Sequence, residues 1–193
     1  MGGLLIGDTL EVAPRLIGCI LTTCIEGVTT SVRLTEVEAY GGSDDPASHA
    51  YGGLTARNRS MFLPQGHLYV YLSYGIHDLI NIVTGAQGEP GAVLLRAGDP
   101  IEGRTVMEQR RGRTDRLTDG PGKLARALGL TLAHDGLRLD EASVSLIRPT
   151  TAPRILATPR IGITKASERP WRFVPATPTV TDAGHGRCTL VAR

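Results

Sequence analysis

Lysine is nearly missing from this chain: of 21 basic residues only Lys123 and Lys165 are lysines. Aromatic residues are scarce as well, at 4% of 193 residues. The three cysteines, Cys19, Cys24 and Cys188, are odd in number and show no metal-ligand spacing. That argues against a disulfide-stapled scaffold and for a reduced, intracellular compartment. No apolar run approaches the ~20 residues that span a bilayer, and residues 1–6 lack the basic and apolar regions of a signal peptide. The expectation is a cytoplasmic protein with no membrane contact. His49, His67, His77, His134 and His185 form no His-x3-His pair. Gly120-Pro121-Gly122-Lys123 lacks the spacing of a nucleotide-cradling loop. Neither a metal site nor a cofactor is therefore expected.

What is present is ordinary in bulk and uneven in placement. Hydrophobic residues make up 41% and charged residues 21%, as in soluble globular proteins. A mass of 20.5 kDa suffices for one domain with a substantial core, taken here as residues 1–193. Residues 1–56 hold two arginines against seven carboxylates, so the remainder is basic, and almost all of that charge is arginine. Guanidinium forks suit phosphate oxygens and stack on bases, which is compatible with nucleic acid. A genome rich in arginine codons would give the same excess on an ordinary solvated surface.

The tyrosines are concentrated: all five lie between Tyr40 and Tyr74. Alternation over residues 34–40 puts Glu36, Glu38 and Tyr40 on one face of a strand. Residues 68–73 alternate too, with Tyr69, Tyr71 and Ser73 on one side and Val70 and Leu72 on the other. The long polar loop between them carries His49, Tyr51 and Arg57-Asn58-Arg59-Ser60-Met61-Phe62, and loops of that length are often functional. Tyr74-Gly75-Ile76-His77 reads as a tip leading into a return strand over residues 79–83.

Elsewhere the pattern predicts a helix over 13–18 with Pro14 at its start and a hairpin of 19–24 and 29–40 turning at Glu26-Gly27. It also predicts a strand over 91–97, a helix opened by Asp99-Pro100, a charged mobile stretch over 111–119 and a helix over 123–128 closed by Gly129. Late strands are expected at 144–147 and 161–163, with an aromatic anchor at Pro170-Trp171-Arg172-Phe173. No strand–helix–strand alternation forces a parallel sheet. The expected fold class is α+β: a single domain with a mixed, largely antiparallel curved β-sheet flanked by short helices.

One constellation could carry chemistry: Glu38, Tyr40, His49 and Tyr71, an acid near rings that could hold something flat. The plain alternative is a satisfied half-buried face with Glu38 paired to an arginine. A cysteine nucleophile is disfavoured, because all three cysteines sit in strand-like or terminal runs where a small buried hydrophobe fits better.

Several blocks carry a resemblance. They are Thr35-Glu36-Val37-Glu38-Ala39-Tyr40, Asp45-Pro46-Ala47-Ser48-His49, Arg57-Asn58-Arg59-Ser60-Met61-Phe62 and Gly66-His67-Leu68-Tyr69-Val70-Tyr71-Leu72-Ser73-Tyr74-Gly75. Ala92-Val93-Leu94-Leu95-Arg96-Ala97, Gly120-Pro121-Gly122-Lys123-Leu124 and Pro159-Arg160-Ile161-Gly162-Ile163 continue them. In this order they closely resemble the alkyladenine (3-methyladenine) DNA glycosylases across nearly the whole chain. The resemblance implies that Glu38 activates the hydrolytic water, with Arg96 and the carbonyl of Ile161 holding it. It implies a base pocket walled by Tyr40, His49 and Tyr71, with Asn81 crowding the 2-amino group of guanine. It further implies a protruding DNA-inserting β-hairpin with Tyr74 as the wedge. Arg57, Arg59, Met61, Ile76 and Lys123 are expected to touch DNA.

The implied partner is double-stranded DNA carrying alkylated or deaminated purines, met by a monomer that leaves an abasic site for downstream repair enzymes. Two departures stand out: Asp78 beside the hairpin tip, and the lack of the basic N-terminal extension found in some relatives. A non-catalytic binder of damaged DNA on the same fold is the rival reading, and Glu38 discriminates the two. A nucleoside hydrolase is disfavoured by Tyr74 and the arginine surface.

Overall fold

Short elements along this chain join into one curled antiparallel sheet with three small helices packed against it. The computed structural model describes residues 3–139 and 143–176. Helix α1 (Thr9–Leu16) is started by Asp8, whose carboxylate accepts the N–H of Glu11 at 2.8 Å, and it buries Val12, Ala13 and Leu16. It therefore begins four residues before the expected start, and Pro14 lies inside it rather than at its first turn. The Asp8 cap was the sequence signal for the true start.

Strands β1 (Ile20–Ile25) and β2 (Val28–Tyr40) form the expected hairpin, turning through Glu26 and Gly27 at φ 55° and 75°. Positive φ at both central residues is the turn whose twist matches paired strands. β3 (Leu68–Ser73) and β4 (His77–Val83) make the second hairpin, and β5 (Ala92–Glu102) returns beside β4 and β2. The sheet runs β3-β4-β5-β2-β1, with β6 (Val144–Ile147) outside β1. β7 (Ile155–Thr158) pairs with β8 (Arg172–Pro175), and β8 pairs with β2 at Val37 and Glu38. β2 is thus bordered by β5 on one edge and by β1, then β8, on the other. Its pairing with β5 shifts register on either side of Glu36, just before Glu38.

Three expectations are corrected. Asp99-Pro100 does not open a helix: β5 runs on through Glu102, and α2 (Arg104–Arg111) starts after Gly103. The stretch 111–119 is pinned rather than loose. Leu117 and Thr118 are buried, Arg111 Nε donates to the Leu117 carbonyl at 3.1 Å, and Thr118 Oγ1 donates to Gly98 O at 2.5 Å. Residues 161–163 form no strand, and β7 and β8 take that place on either side. Among the cysteines, Cys19 is buried, and that burial pushes its thiol up to about 11. Cys24 is exposed, unlike the buried hydrophobe expected, and Cys188 lies outside the described residues.

In the main core Leu16, Leu34, Val70, Ile80, Leu95 and Leu124 pack together. α3 (Pro121–Leu128) supplies Leu124 and Leu128 to it and lies against β4. Gly122 allows that approach, since a Cβ there would meet His77 Cβ at 3.0 Å. A second, smaller cluster of Ala50, Met61, Tyr69, Val83 and Ala92 anchors the long loop. The loop also has a polar hub. Asn58 donates to the carbonyls of His49 (2.8 Å) and Gly53 (2.9 Å), and its side-chain oxygen accepts the N–H of Thr55 (2.7 Å). A long loop whose regular structure among the described residues is one short 3-10 turn, Arg59–Phe62, is thereby held in one shape.

Candidate active site

The alternation of β2 sends Val37 and Ala39 into the core and turns Glu38 to the other face, yet Glu38 is 0% exposed. A buried carboxylate needs donors, and three converge on it. Oε2 accepts the Tyr40 hydroxyl at 2.8 Å and Arg96 Nη1 at 3.3 Å, while Oε1 accepts the Ile161 amide at 2.8 Å. Arg96, on β5, is held in turn by Glu36, whose Oε1 accepts Arg96 Nε at 2.7 Å and Arg172 Nε at 2.6 Å. Burial would raise the Glu36 carboxyl, but the two guanidinium groups outweigh it and hold the carboxyl below its usual range. Burial, reinforced by the neighbouring Glu38, drives the Tyr40 phenol far above its ordinary value, so its hydroxyl remains a donor.

All three donors line a cavity of about 870 Å³. Aromatic groups from β3 and the loop share that lining. Tyr71 meets His49 edge to face at a centroid distance of 4.5 Å and lies stacked on Tyr69 at 5.4 Å. His49 Nδ1 is 2.8 Å from the Tyr69 hydroxyl. Burial, then the nearby Arg57 charge, lowers the His49 pKa, so the imidazole is neutral at pH 7. Burial pushes Tyr71 up to about 12. Asn81, from β4, is 4% exposed and donates to the Tyr69 carbonyl at 2.9 Å, which fixes its amide at the pocket wall. The geometry offers a flat-walled pocket with one carboxylate behind it. Among the described residues no group of three or more His, Cys, Asp or Glu is placed to hold a metal ion.

The β3–β4 hairpin projects beside this pocket. Its tip turns through Tyr74 and Gly75 at φ 51° and 71°, closed by the Ile76 N–H on the Ser73 carbonyl at 3.0 Å. Tyr74 is 92% exposed and Ile76 is 73% exposed.

A profile described as "Methylpurine-DNA glycosylase" matches residues 4–178. The chain belongs to the methylpurine-DNA glycosylase family. Similar proteins carry the provisional name 3-methyladenine DNA glycosylase. One from Rhodopseudomonas palustris (strain ATCC BAA-98 / CGA009) is 52% identical over 165 residues, covering 84% of this chain and 78% of the relative. One from Chlorobaculum parvum is 49% identical over 179 residues, covering 90% and 86%. One from Methanoculleus marisnigri is 47% identical over 173 residues, covering 86% and 89%. The chain is thus a glycosylase, a hydrolase acting on N-glycosyl bonds in DNA.

Within the glycosylase, the structure brings Glu38, Arg96 and Ile161 together and puts Tyr40, His49, Tyr71 and Asn81 along one cavity. Ile161 meets Glu38 through its amide N–H, whereas the sequence expectation concerned its carbonyl. The plain alternative also holds in part, since Glu38 is paired to Arg96. Arg57, Lys123 and Tyr74 reach the cavity rim, while Arg59 is exposed and stands away from it. Met61 is 2% exposed and packs against the aromatic wall, where it forms part of the cavity lining.

Asp78 finds an explanation. Its Oδ1 accepts the N–H of Leu132 at 3.1 Å and so ties the hairpin to the short turn Leu132–His134. Tyr69 was not among the expected pocket walls, although it shares the parity of Tyr71 and meets His49. Sequence reasoning gave no role to Arg111 and Arg126, which line the same rim, or to Asp45 and Arg160. Nothing local marks a pair 115 residues apart.

Proposed function

We propose that this glycosylase is monofunctional. It rotates alkylated or deaminated purines out of duplex DNA and hydrolyses the N-glycosidic bond with a water activated by Glu38. The observation that carries this reading is the wholly buried Glu38, ringed by three donors that line an aromatic cavity. A base inside a duplex cannot present its glycosidic bond to a side chain, and flipping costs a few kcal/mol of stacking and pairing. Tyr74 fills the gap left behind, approximating with its ring the apolar wedges of minor-groove proteins. The flipped base stacks between Tyr40 and Tyr71, each stack supplying ~1–3 kcal/mol. A cationic base such as 3-methyladenine gains a cation–π contribution that adenine lacks.

Water then attacks the anomeric carbon as the bond to the base nitrogen breaks. The bonding pair leaves with the base, which neutralises a cationic purine, and Glu38 takes the proton lost by water. Arg96, bonded to Glu38 and Glu36 at once, stands where it can orient both the water and a flanking phosphate. The rim set of Arg57, Lys123 and Arg126 meets the backbone. Asn81, fixed against Tyr69, narrows the space for a 2-amino group and so disfavours guanine. A duplex carrying one ethenoadenine or hypoxanthine, incubated with the protein and then cleaved by alkali, tests the reading. A strand break at the lesion after alkali, and none before it, is the expected result. No break after alkali on any alkylated or deaminated purine leaves the rival, a non-catalytic binder.

A further inference from the structure

Arg160 is a buried cation for which the reaction above has no use. Its guanidinium meets Asp45 in two parallel bonds, Nη1 to Oδ2 at 2.6 Å and Nη2 to Oδ1 at 2.8 Å, with both side chains 0% exposed. Nη1 also donates to the Ala39 carbonyl at 2.9 Å. The guanidinium lies 4.7 Å from the Tyr40 ring centroid and 5.0 Å from that of Trp171. Its Nε is buried without a hydrogen-bond partner, so ring stacking as well as hydrogen bonding fixes its position. Burying two charges costs several kcal/mol per ion before pairing repays it, so such a pair is weak evidence of stabilisation. What it does fix is geometry.

Two of the groups that Arg160 touches, the Ala39 carbonyl and the Tyr40 ring, lead to Glu38. Ala39 lies between Glu38 and Tyr40, and the Tyr40 hydroxyl is the donor on Oε2. The residue after Arg160 is Ile161, whose N–H is the donor on Oε1. Ile161 is 50% exposed and belongs to no helix or strand, so no sheet ladder holds its amide in place. Asp45 in turn accepts the N–H of Gly41 at 3.1 Å and of Ala47 at 3.2 Å, which ties the pair to the loop that carries His49. Arg96, the remaining donor on Glu38, is held separately by Glu36.

We propose that the Asp45–Arg160 pair is the positioning element of the active carboxylate: it clamps the Ile161 amide and the Tyr40 hydroxyl onto Glu38. Neither residue touches the substrate. Their effect passes through Ile161 and Tyr40, and a displacement of about 1 Å at such donors can lower a rate ~100-fold. The rate consequence rests on the glycosylase mechanism above, but the clamp itself does not.

The test uses Asp45→Asn, which keeps shape, and Arg160→Lys, which keeps a cation beside Asp45 and avoids a lone buried charge. Val144→Ala, a core truncation on the edge strand β6, serves as the control for stability. Amide hydrogen exchange by NMR reads the clamp directly. In both variants the Ile161 amide should exchange at least ~10-fold faster while core amides of β2 and β5 keep their protection. Single-turnover excision should fall ~10- to 100-fold with lesion-duplex affinity changed less than ~3-fold, and Val144→Ala should keep its rate. Unchanged exchange at Ile161 overturns the proposal, as does a rate loss no larger than the folded fraction explains. If the unsubstituted protein releases no base, the mechanism fails, while the Ile161 exchange still decides the clamp.

Discussion

Replacing Tyr74 with glycine should make the protein more stable and a poorer enzyme. The Tyr74 side chain is 92% exposed and packs against almost nothing, while its backbone sits at φ 51°. A residue with a Cβ costs about 1–2 kcal/mol in that region. Glycine removes this cost but gains unfolded-chain freedom worth ~0.5–1 kcal/mol. Tyr74→Gly should therefore raise the unfolding free energy by about 0.5–1 kcal/mol. Tyr74→Ala keeps the strained backbone and should stay within ~0.5 kcal/mol. On DNA the lost ring stacking is worth ~1–3 kcal/mol. Both variants should then lose roughly 5- to 150-fold in single-turnover kcat/KM on a lesion opposite its pairing base. A lesion in a mismatch is already partly unstacked and should lose much less. Urea denaturation and excision from the two duplexes measure the two halves. Equal losses on both duplexes, or Tyr74→Gly less stable than Tyr74→Ala, would refute the reasoning.

Three further outcomes are expected. The logarithm of duplex affinity should fall linearly with the logarithm of salt at about −0.9 per neutralised phosphate, and Arg57→Ala should reduce that slope by about one unit; a salt-independent affinity measured by titration counts against DNA as the substrate. Borohydride during turnover should trap no covalent adduct, because the described lysine at the cavity rim, Lys123, is engaged with Asp119 at 2.9 Å; an adduct that disappears in Lys165→Ala would make the enzyme bifunctional. Burial alone would raise the Asp45 carboxyl, but Arg160 outweighs it and holds the carboxyl below its usual value. A carboxyl lowered on folding contributes stability above the ordinary carboxylate pKa of about 3.9 and loses it as pH falls through the folded value. Acid unfolding of Asp45→Asn should thus be less steep below pH ~4 than that of the unsubstituted protein, and identical acid limbs would contradict the pair's ionisation.

How much of this could be read from the chain depended on the range of the physics. Strand alternation is a period of two residues, so the faces of β2 and β3, and with them Glu38, Tyr40 and Tyr71, were legible directly. The tip was legible because Gly75, which takes φ 71° freely, interrupts two alternating runs, whereas the strain at Tyr74 (φ 51°) had no sequence signal. The end of β5 was misread because Asp99-Pro100 is both a helix-opening signal and acceptable on a strand that there pairs with β2 but no longer with β4. Tyr69 was undervalued because a buried tyrosine in a strand is ordinary core, and only the position of His49 in space gives its hydroxyl a purpose. Arg160 was invisible as a clamp, since its partners Asp45, Ala39 and Tyr40 lie more than a hundred residues away. Long-range polar pairs leave no periodicity.

The measurement that bears most directly on the mechanism is base release from a lesion duplex by Glu38→Gln. The exchange keeps the size of a side chain that is 0% exposed but removes its ability to take a proton, together with the charge paired to Arg96. Base release should fall by ~100-fold or more, while affinity for the same duplex stays within a few-fold and the protein stays folded. Release at a near-normal rate would contradict the account and remove Glu38 from the chemistry.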